Sequence, residues 1–306
     1  MSEILVAGHK SPDTDSIGSA IACAYLYTQT GHEAKAVRAG GINKETRFAL
    51  QSFGLTEPPL CEGFTAGQPV VLVDHNERKQ SIDGVQDADV IALIDHHRLG
   101  DFETEKPIHI TVEPVGCTAT ILFQMFERAH VQIPQEIAGM MLSAIISDTL
   151  LFRSPTCTEL DRLAVKALAR LADVDYEEYG MNMLKAGADI SDIPVAQWVQ
   201  TDKKEFSADD RTFSVAQLSV MDTVDVLARR EELRTLMEAD RNAHGYVASF
   251  LMVTDILKEE TDLLFVGDVD AWVARAFGAT AQDGSIHLPG VMSRKKQIVP
   301  PLLGAV

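Results

Sequence analysis

Three strand-length apolar runs in this chain each end directly before acidic or histidine residues. The runs cover residues 4–7, 70–73 and 90–94, and they consist almost entirely of valine, isoleucine, leucine and alanine. Unbroken apolar runs of this length are typical of parallel strands that are buried on both faces of a sheet. The carboxyl ends of such strands meet at one edge, where open α/β sheets bind ligands. The pattern therefore predicts an α/β fold with a mainly parallel sheet and a site at that edge.

The polar residues that follow these runs are of the types that bind metal ions. A fourth candidate, Asp148, follows an apolar stretch at 140–146 that we interpret as the last turns of a helix. We predict that the four segments converge and supply ligands for two metal ions. The candidate residues are His9, Asp13 and Asp15; Asp74; Asp95, His96 and His97; and Asp148.

Each segment also has a simpler interpretation. Asp13, Asp15 or Ser16 could cap the helix that follows, and Asp148 could be an N-cap residue. Asp74 could be a hydrogen-bonded structural acid, although a carboxylate at the end of a buried strand is costly unless it is paired or metal-bound. His75, next to Asp74, is a weaker candidate for a supporting role. Of the four segments, the one with two adjacent histidines after Asp95 is the hardest to explain by packing. These histidines therefore favour the metal interpretation.

The ligand types favour particular metals. Oxygen ligands with a minority of imidazoles and no thiolate favour Mn²⁺, Co²⁺ or Mg²⁺ over a structural zinc ion. The four carboxylates of Asp13, Asp15, Asp74 and Asp148 would balance two divalent cations. Two such ions can polarise a phosphoryl oxygen and activate a water molecule. The sequence thus favours metal-dependent hydrolysis of a phosphorylated substrate.

A polyphosphate substrate would need further positive charge, for which the second half of the chain offers candidates. These are Arg294, Lys295 and one of Lys203 or Lys204, together with Mg²⁺ bound to the substrate. Solvated surface charge remains the alternative for each of these lysines.

Composition restricts the class of protein. The 306 residues are 46% hydrophobic, which describes an ordinary globular chain with room for two domains. No apolar run approaches the roughly 20 residues of a membrane span, and no basic and apolar leader is visible, so we expect a cytoplasmic protein without a membrane partner. The net charge of −18 argues against nucleic acid as a partner.

The cysteines suggest neither a disulfide framework nor a zinc site. Cys23, Cys61, Cys117 and Cys157 are widely separated and form no CxxC pair. We predict that they are small buried hydrophobic residues.

Strand-like and helix-like stretches alternate over residues 1–187, which predicts the first domain. We expect residues 188–194 to form a linker and residues 195–306 to form a smaller α/β domain with a mixed sheet. The predicted elements are a helix after the first strand that Gly31 ends; helices at about 117–129, 134–147 and 157–173, the last with a capping box of Thr156 and Glu159; strands at about 212–220, 246–253, 262–267 and 285–291; and a helix at about 223–242.

Six sequence motifs in a fixed order resemble one known family. They are GHKSPDTDSIGSAIA at 8–22, VDHNERKQS at 73–81, IDHHR at 94–98, EPVGCTATI at 113–121, SAIISDTLLFRSPTCT at 143–158 and SRKKQ at 293–297. In these motifs, and nearly end to end, the chain resembles the manganese-dependent family II inorganic pyrophosphatases of the DHH phosphoesterase superfamily.

The resemblance implies a homodimer in which a Rossmann-like DHH domain and a smaller DHHA2 domain are joined by a flexible linker. It implies hydrolysis of pyrophosphate to two phosphates by a water that bridges two Mn²⁺ ions. By the same resemblance, His9 and Asp13 would hold one metal, Asp15, His96 and Asp148 the other, and Asp74 would bridge both. His97 would contact the substrate and protonate the leaving phosphate, and Lys204, Arg294 and Lys295 would bind phosphate oxygens.

The 74–96 spacing leaves no room for the regulatory nucleotide-binding insert of some members, so we expect an unregulated enzyme. One competing hypothesis is a phosphodiesterase acting on short oligonucleotides or nucleotide phosphates. Base stacking would require aromatic residues around its cleft, but only 6% of the chain is aromatic and the GGGH motif of such relatives is missing. Another is a noncatalytic binding protein whose metals hold the domains together.

Overall fold

The structure is a computed structural model that describes residues 3–208 and 211–305. The chain divides into two compact units whose boundary lies between Gly187 and Ala188. The first contains a parallel sheet and the second a mixed sheet, so the predicted α/β fold class is confirmed.

The sheet of the first unit has five strands in the order β2-β1-β3-β4-β5, and all of its strand pairs are parallel. The strands are β1 (Ile4–Ala7), β2 (Ala34–Val37), β3 (Pro69–Val73), β4 (Asp89–Asp95) and β5 (His109–Val112). Since the chain first moves from β1 to β2 and then returns to the other side of β1, the order of the strands reverses between β1 and β3. Such a switch point leaves a crevice at the carboxyl edge of the sheet.

Six α-helices belong to the described part of the first unit. They are α1 (Thr14–Gln29), α2 (Lys44–Ser52), α3 (Thr118–Ala129), α4 (Gln135–Thr149), α5 (Glu159–Ala172) and α6 (Tyr176–Ala188), and a 3₁₀ turn covers Arg78–Gln80. Small residues let α1 approach α4 closely, because a methyl group on Gly18 would lie 3.2 Å from the Met140 carbonyl oxygen. A cluster of buried apolar side chains fills the core between these helices and the sheet.

The helix α5 begins with a capping box, but two residues later than the sequence suggested. Thr158 is the N-cap residue, and its side chain and that of Asp161 bond reciprocally to each other's backbone N–H groups. The predicted pair, Thr156 and Glu159, is therefore wrong. The Thr156 hydroxyl instead bonds the Ser154 hydroxyl at 2.7 Å. Asp161 also accepts from Thr120 Oγ1, which joins the start of α5 to α3.

The described residues of the second unit form five strands in the order β10-β9-β8-β7-β6, and among these the β7 and β8 pair alone is parallel. Its strands are β6 (Lys204–Ala208), β7 (Arg211–Val220), β8 (Ala248–Asp255), β9 (Glu260–Val266) and β10 (Ser285–Pro289). Its helices are α7 (Val195–Trp198), α8 (Val224–Leu227), α9 (Arg230–His244), α10 (Asp270–Phe277) and α11 (Val299–Gly304), with a π-helical turn at Arg294–Ile298. The single helix predicted at 223–242 is thus two helices, α8 and α9.

Within the predicted linker, Ile190 and Ile193 pack against the apolar cluster of Val195 and Trp198.

All four cysteines are free thiols, and the prediction of their burial holds for two of them. Cys23 and Cys117 are buried, whereas Cys61 and Cys157 are only partly covered. Over residues 3–208 and 211–305, the helices are too short or too polar to cross a bilayer.

Candidate metal centre

The predicted metal ligands meet at the carboxyl edge of the first sheet. His9 lies in the loop after β1, and Asp13 and Asp15 lie at the start of α1. Among the described residues, three groups of three side chains have ligand atoms that all lie within 4.8 Å of one another. The first group is His9, Asp13 and Asp74, the second is Asp15, His96 and Asp148, and the third is Asp74, His96 and His97.

Asp74 belongs to both the first and the third of these groups. Its Oδ2 is 3.3 Å from His9 Nε2, whereas its Oδ1 is 3.5 Å from His96 Nε2. The residue directly follows β3 and has a φ of 61°, a left-handed conformation that aspartate tolerates better than most residues. The backbone N–H of Asp74 still donates to Ile94 O across the sheet at 3.0 Å. Each carboxylate oxygen therefore faces a different imidazole, as a carboxylate that bridges two cations would.

The N-terminus of α3 holds the carboxylate of Asp15. Asp15 accepts from the backbone N–H groups of Thr118 at 2.7 Å and Ala119 at 3.2 Å, and from Ser19 Oγ at 2.6 Å. A helix N-terminus favours a negative charge at this position. The Thr118 hydroxyl also donates to Asp74 Oδ1 at 3.2 Å. Thr118 was not among the predicted site residues, although it lies in the EPVGCTATI motif at the start of a helix.

Asp95 belongs to none of the three groups, contrary to the expectation that it is a metal ligand. Its Oδ1 accepts from the backbone N–H groups of His96 and His97 and from His97 Nδ1, at 2.8, 3.0 and 2.8 Å. Its Oδ2 accepts from Asn76 Nδ2. Burial alone would raise the pKa of Asp95, but the hydrogen bonds and charge of His97 and the bond from Asn76 lower that pKa to about 2. The structure thus gives Asp95 a positioning role toward His97.

The two remaining histidines of this edge differ in what they can do. The side chain of His97 is 33% exposed and lies beside Asp74 and His96. His75 is buried, with Nδ1 bonded to Val73 O and Nε2 to Ser81 Oγ. Burial lowers the pKa of His75 to about 4, so the ring is neutral at physiological pH. His75 supports the loop after β3, whereas His97 is accessible to a ligand.

Asp148 lies in the last turn of α4, with its Oδ2 at 3.6 Å from His96 Nε2. An N-cap role for this residue is wrong because it lies at the C-terminal end of its helix. The chain then turns through Leu150, Leu151 and Phe152, which have φ values of 47°, 51° and 70°. Each left-handed residue of this type costs about 1–2 kcal/mol. This strained turn fixes the direction of the chain directly after Asp148.

The charges of the centre fit divalent cations. Burial, followed by the charges of Asp15 and Asp13, raises the pKa of Asp74 well above its usual value. Burial lowers the pKa of His9, but the carboxylates of Asp13 and Asp74 outweigh it and raise that pKa well above its usual value. Such a crowded set of acids needs compensating positive charge, and its oxygen and nitrogen donors suit Mn²⁺.

These pKa shifts predict how stability and Mn²⁺ binding change with pH. In the metal-free protein, the stability from protonated His9 is present below about pH 6.5 and is lost as the pH rises through the raised pKa. If His9 is an Mn²⁺ ligand, the ion must displace that proton, and its affinity should rise about tenfold per pH unit for each proton displaced. Thermal melts with and without MnCl₂ should show a larger Mn²⁺-induced rise in Tm at pH 8 than at pH 6. An equal rise at both values would contradict the prediction, and His9→Gln should weaken the pH dependence.

The basic candidates for substrate binding lie in the second unit. Lys204 begins β6 and pairs in register with Val215, whose carbonyl oxygen is 3.5 Å from Arg294 Nη1. Lys204 and Arg294 are therefore neighbours, and Lys295 follows Arg294 in the π-helical turn. Lys203, the alternative to Lys204, donates to both carboxylate oxygens of Asp240 at 2.9 Å. Arg294 is ion-paired as well, with its Nη2 2.9 Å from Asp202 Oδ2, so pairing with a carboxylate does not separate these candidates.

Comparison with known proteins gives a consistent assignment. The N-terminal domain model of the DHH family matches residues 3–145, and the DHHA2 domain model matches residues 181–305. The chain is 48% identical over 307 residues to a probable manganese-dependent inorganic pyrophosphatase of Shouchella clausii, and 47% identical over 312 residues to the manganese-dependent inorganic pyrophosphatase of Bacillus subtilis. Each alignment covers 100% of this chain and 99% of the relative.

A solved structure is also similar. A Methanococcus jannaschii protein assigned to the family II inorganic pyrophosphatases superposes with a TM-score of 0.87 at 38% identity, and the match covers 99% of both chains. Full-length identity to the curated relatives, both domain models and the shared architecture agree. The chain belongs to the manganese-dependent inorganic pyrophosphatase family.

Proposed function

We propose that this protein hydrolyses inorganic pyrophosphate to two phosphates, with two Mn²⁺ ions held at the carboxyl edge of the first sheet. The observation that carries the proposal is the position of Asp74, whose two oxygens face the imidazoles of His9 and His96. The names of full-length relatives support manganese as the metal and pyrophosphate as the substrate. Co²⁺ could replace Mn²⁺, and Mg²⁺ would accompany the substrate.

The residues present can hold two ions. His9, Asp13 and Asp74 would bind one, and Asp15, His96 and Asp148 would bind the other together with Asp74. When bound, the ions would supply a nucleophilic water and neutralise charge on the phosphoryl oxygens.

The other side chains in the proposal act on the substrate itself. His97 would contact the substrate and donate a proton to the leaving phosphate, and its ring orientation would be set by Asp95. Lys204, Arg294 and Lys295 of the second unit would bind phosphate oxygens, since positive charge stabilises the negative charge of phosphate groups.

The further proposals concern the organisation of the protein. We take residues 1–187 as the DHH domain, 188–194 as the linker and 195–306 as the DHHA2 domain, with two copies of the chain forming a homodimer in the cytoplasm. The four free thiols support a reducing compartment. Scattering profiles with and without a nonhydrolysable pyrophosphate analogue would test closure of the two domains, and light scattering would test the dimer.

A phosphate-release assay tests the proposed function. Pyrophosphate and a dinucleotide are compared with the protein loaded with Mn²⁺ or stripped of metal, always in the presence of Mg²⁺. We expect phosphate release from pyrophosphate only, dependence on Mn²⁺ or Co²⁺, and a loss of about a hundredfold or more in Asp148→Asn. Glu136→Gln, an exposed change at the other end of α4, is the matched control and should retain full activity. Full activity after complete metal removal would contradict the proposal, and cleavage of the dinucleotide alone would favour a phosphodiesterase.

A further inference from the structure

Glu45 links two elements that carry candidate metal ligands. It lies at the start of α2, a helix that the sequence analysis did not predict, and its Oε1 accepts hydrogen bonds from two hydroxyl groups. One donor is Thr14 Oγ1 at 2.8 Å, and the other is Ser147 Oγ. Thr14 lies between Asp13 and Asp15 at the start of α1, and Ser147 directly precedes Asp148 at the end of α4.

The link is specific to this end of the two helices. Thr14 is fully buried, and its hydroxyl also lies 3.1 Å from the Thr46 hydroxyl. The backbone N–H of Thr46 donates to Asn43, the N-cap residue of α2, so the helix that carries Glu45 is itself fixed at its start. A carboxylate is an acceptor only, and a hydroxyl donates one proton. A single oxygen of Glu45 thus accepts one hydrogen bond from α1 and one from α4.

We propose that Glu45 is a positioning residue for the metal centre, which sets the separation between the first turn of α1 and the last turn of α4. The inference rests on the proposed function, since it concerns the same two-metal site. Side chains of this kind, which touch no metal but hold the elements that carry the ligands, commonly change metal affinity or activity by about 10- to 100-fold when removed. Glu45 therefore acts on Asp13, Asp15 and Asp148 through their neighbours in the chain.

A second contact, with Gly187, allows the Glu45 side chain to be displaced by a substitution elsewhere in the chain. Gly187, in the last turn of α6, lies against Glu45: a methyl group on Gly187 would come within 2.9 Å of Glu45 Cβ and 3.0 Å of Glu45 Oε2. The Cβ atom cannot move without the backbone of α2. Gly187→Ala therefore displaces the Glu45 carboxylate without removing any polar group.

Titration of the metal-stripped full-length protein with Mn²⁺, followed by electron paramagnetic resonance of the free ion, tests the proposal. We expect Glu45→Ala to bind Mn²⁺ about 10- to 100-fold more weakly than wild type, and Gly187→Ala to be weakened in the same direction. Glu45→Gln keeps an acceptor oxygen and should lose less affinity than Glu45→Ala. Glu136→Ala, which removes an exposed carboxylate from α4, should match wild type.

A double-mutant cycle separates positioning from general stabilisation. If Glu45 acts through Ser147, then adding Ser147→Ala to Glu45→Ala should cause little further loss of Mn²⁺ affinity. A residue that only stabilises the fold would lower the Tm of the metal-free protein and leave the Mn²⁺ affinity of the folded protein unchanged. Unchanged affinity in Glu45→Ala, or additive losses in the double variant, would overturn the inference. If Glu45→Ala does not fold, then Glu45→Gln and Gly187→Ala decide the question. Absence of Mn²⁺ binding by wild type would overturn the proposed function as well.

Discussion

Replacing Asp74 with asparagine is expected to lower pyrophosphate hydrolysis by about a thousandfold or more, which corresponds to about 4 kcal/mol of barrier. Each oxygen of the Asp74 carboxylate faces a different imidazole, at 3.3 Å from His9 and 3.5 Å from His96. An amide keeps the shape but offers one acceptor oxygen and no charge. The substituted side chain would therefore fail to bridge two cations, and steady-state phosphate release with saturating Mn²⁺ measures the loss.

The same substitution should have the opposite effect on the stability of the metal-free protein. The pKa of Asp74 is raised because burial and the charges of Asp15 and Asp13 oppose its ionisation. A raised pKa means that stability from this group is present below its unfolded pKa and is lost as the pH rises through the folded value. Above that range, burial and the charges of Asp15 and Asp13 oppose the ionised Asp74 carboxylate more than His9 stabilises it, so removing this charge in Asp74→Asn should raise the Tm of the metal-free protein above that of wild type.

A backbone effect can be excluded with a matched variant. Asp173 caps the end of α5 at a φ of 56°, close to the 61° of Asp74, and is exposed. Asparagine tolerates this left-handed conformation as well as aspartate does. Asp173→Asn should therefore leave both activity and metal binding unchanged. Near-normal activity in Asp74→Asn, or a lower Tm without metal, would contradict the bridging role.

The parts of the fold that the sequence predicted are those with strong local patterns. The strands β1, β3 and β4 are buried, and their unbroken apolar runs gave their limits almost to the residue. The sequence missed β2 and β5, which have four residues each at the two edges of the sheet and are only partly buried. Because an edge strand needs little apolar surface, its pairing depends on the neighbouring strand more than on its own residues.

The limits of prediction at the site have a different cause. Residue type and position predicted that His9, Asp74, His96 and Asp148 would converge. They did not distinguish a carboxylate that faces the metal centre from one that orients a histidine, because Asp95 has the same chemistry as Asp74 and a similar position, at the end of its strand. The proposed role of Glu45 could not be predicted from the sequence, because its hydrogen-bond partners, Thr14 and Ser147, are 31 and 102 residues away in the chain.

Asp95→Asn is expected to lower kcat by about a hundredfold to ten-thousandfold, because Asp95 fixes the ring of His97. The ionised carboxylate accepts from His97 Nδ1, which places the proton on that nitrogen and leaves Nε2 for the substrate. An asparagine whose oxygen replaces Oδ1 would turn its NH₂ group toward Asn76 Nδ2, also a donor. Asn76 cannot reverse to accept, because its amide bonds Arg98 O and Gly100 N.

The comparison of kcat with Mn²⁺ affinity in Asp95→Asn then decides between two roles for this carboxylate. The His96 ring has a separate support, since its Nδ1 bonds Val115 O at 3.1 Å, so Mn²⁺ affinity should change by less than about tenfold while kcat falls. Asp89→Asn, at the other end of β4, is the matched control and should leave both quantities unchanged. A loss of Mn²⁺ affinity in proportion to kcat would show that Asp95 is a ligand, and unchanged kcat would show that the orientation of His97 does not matter to the reaction.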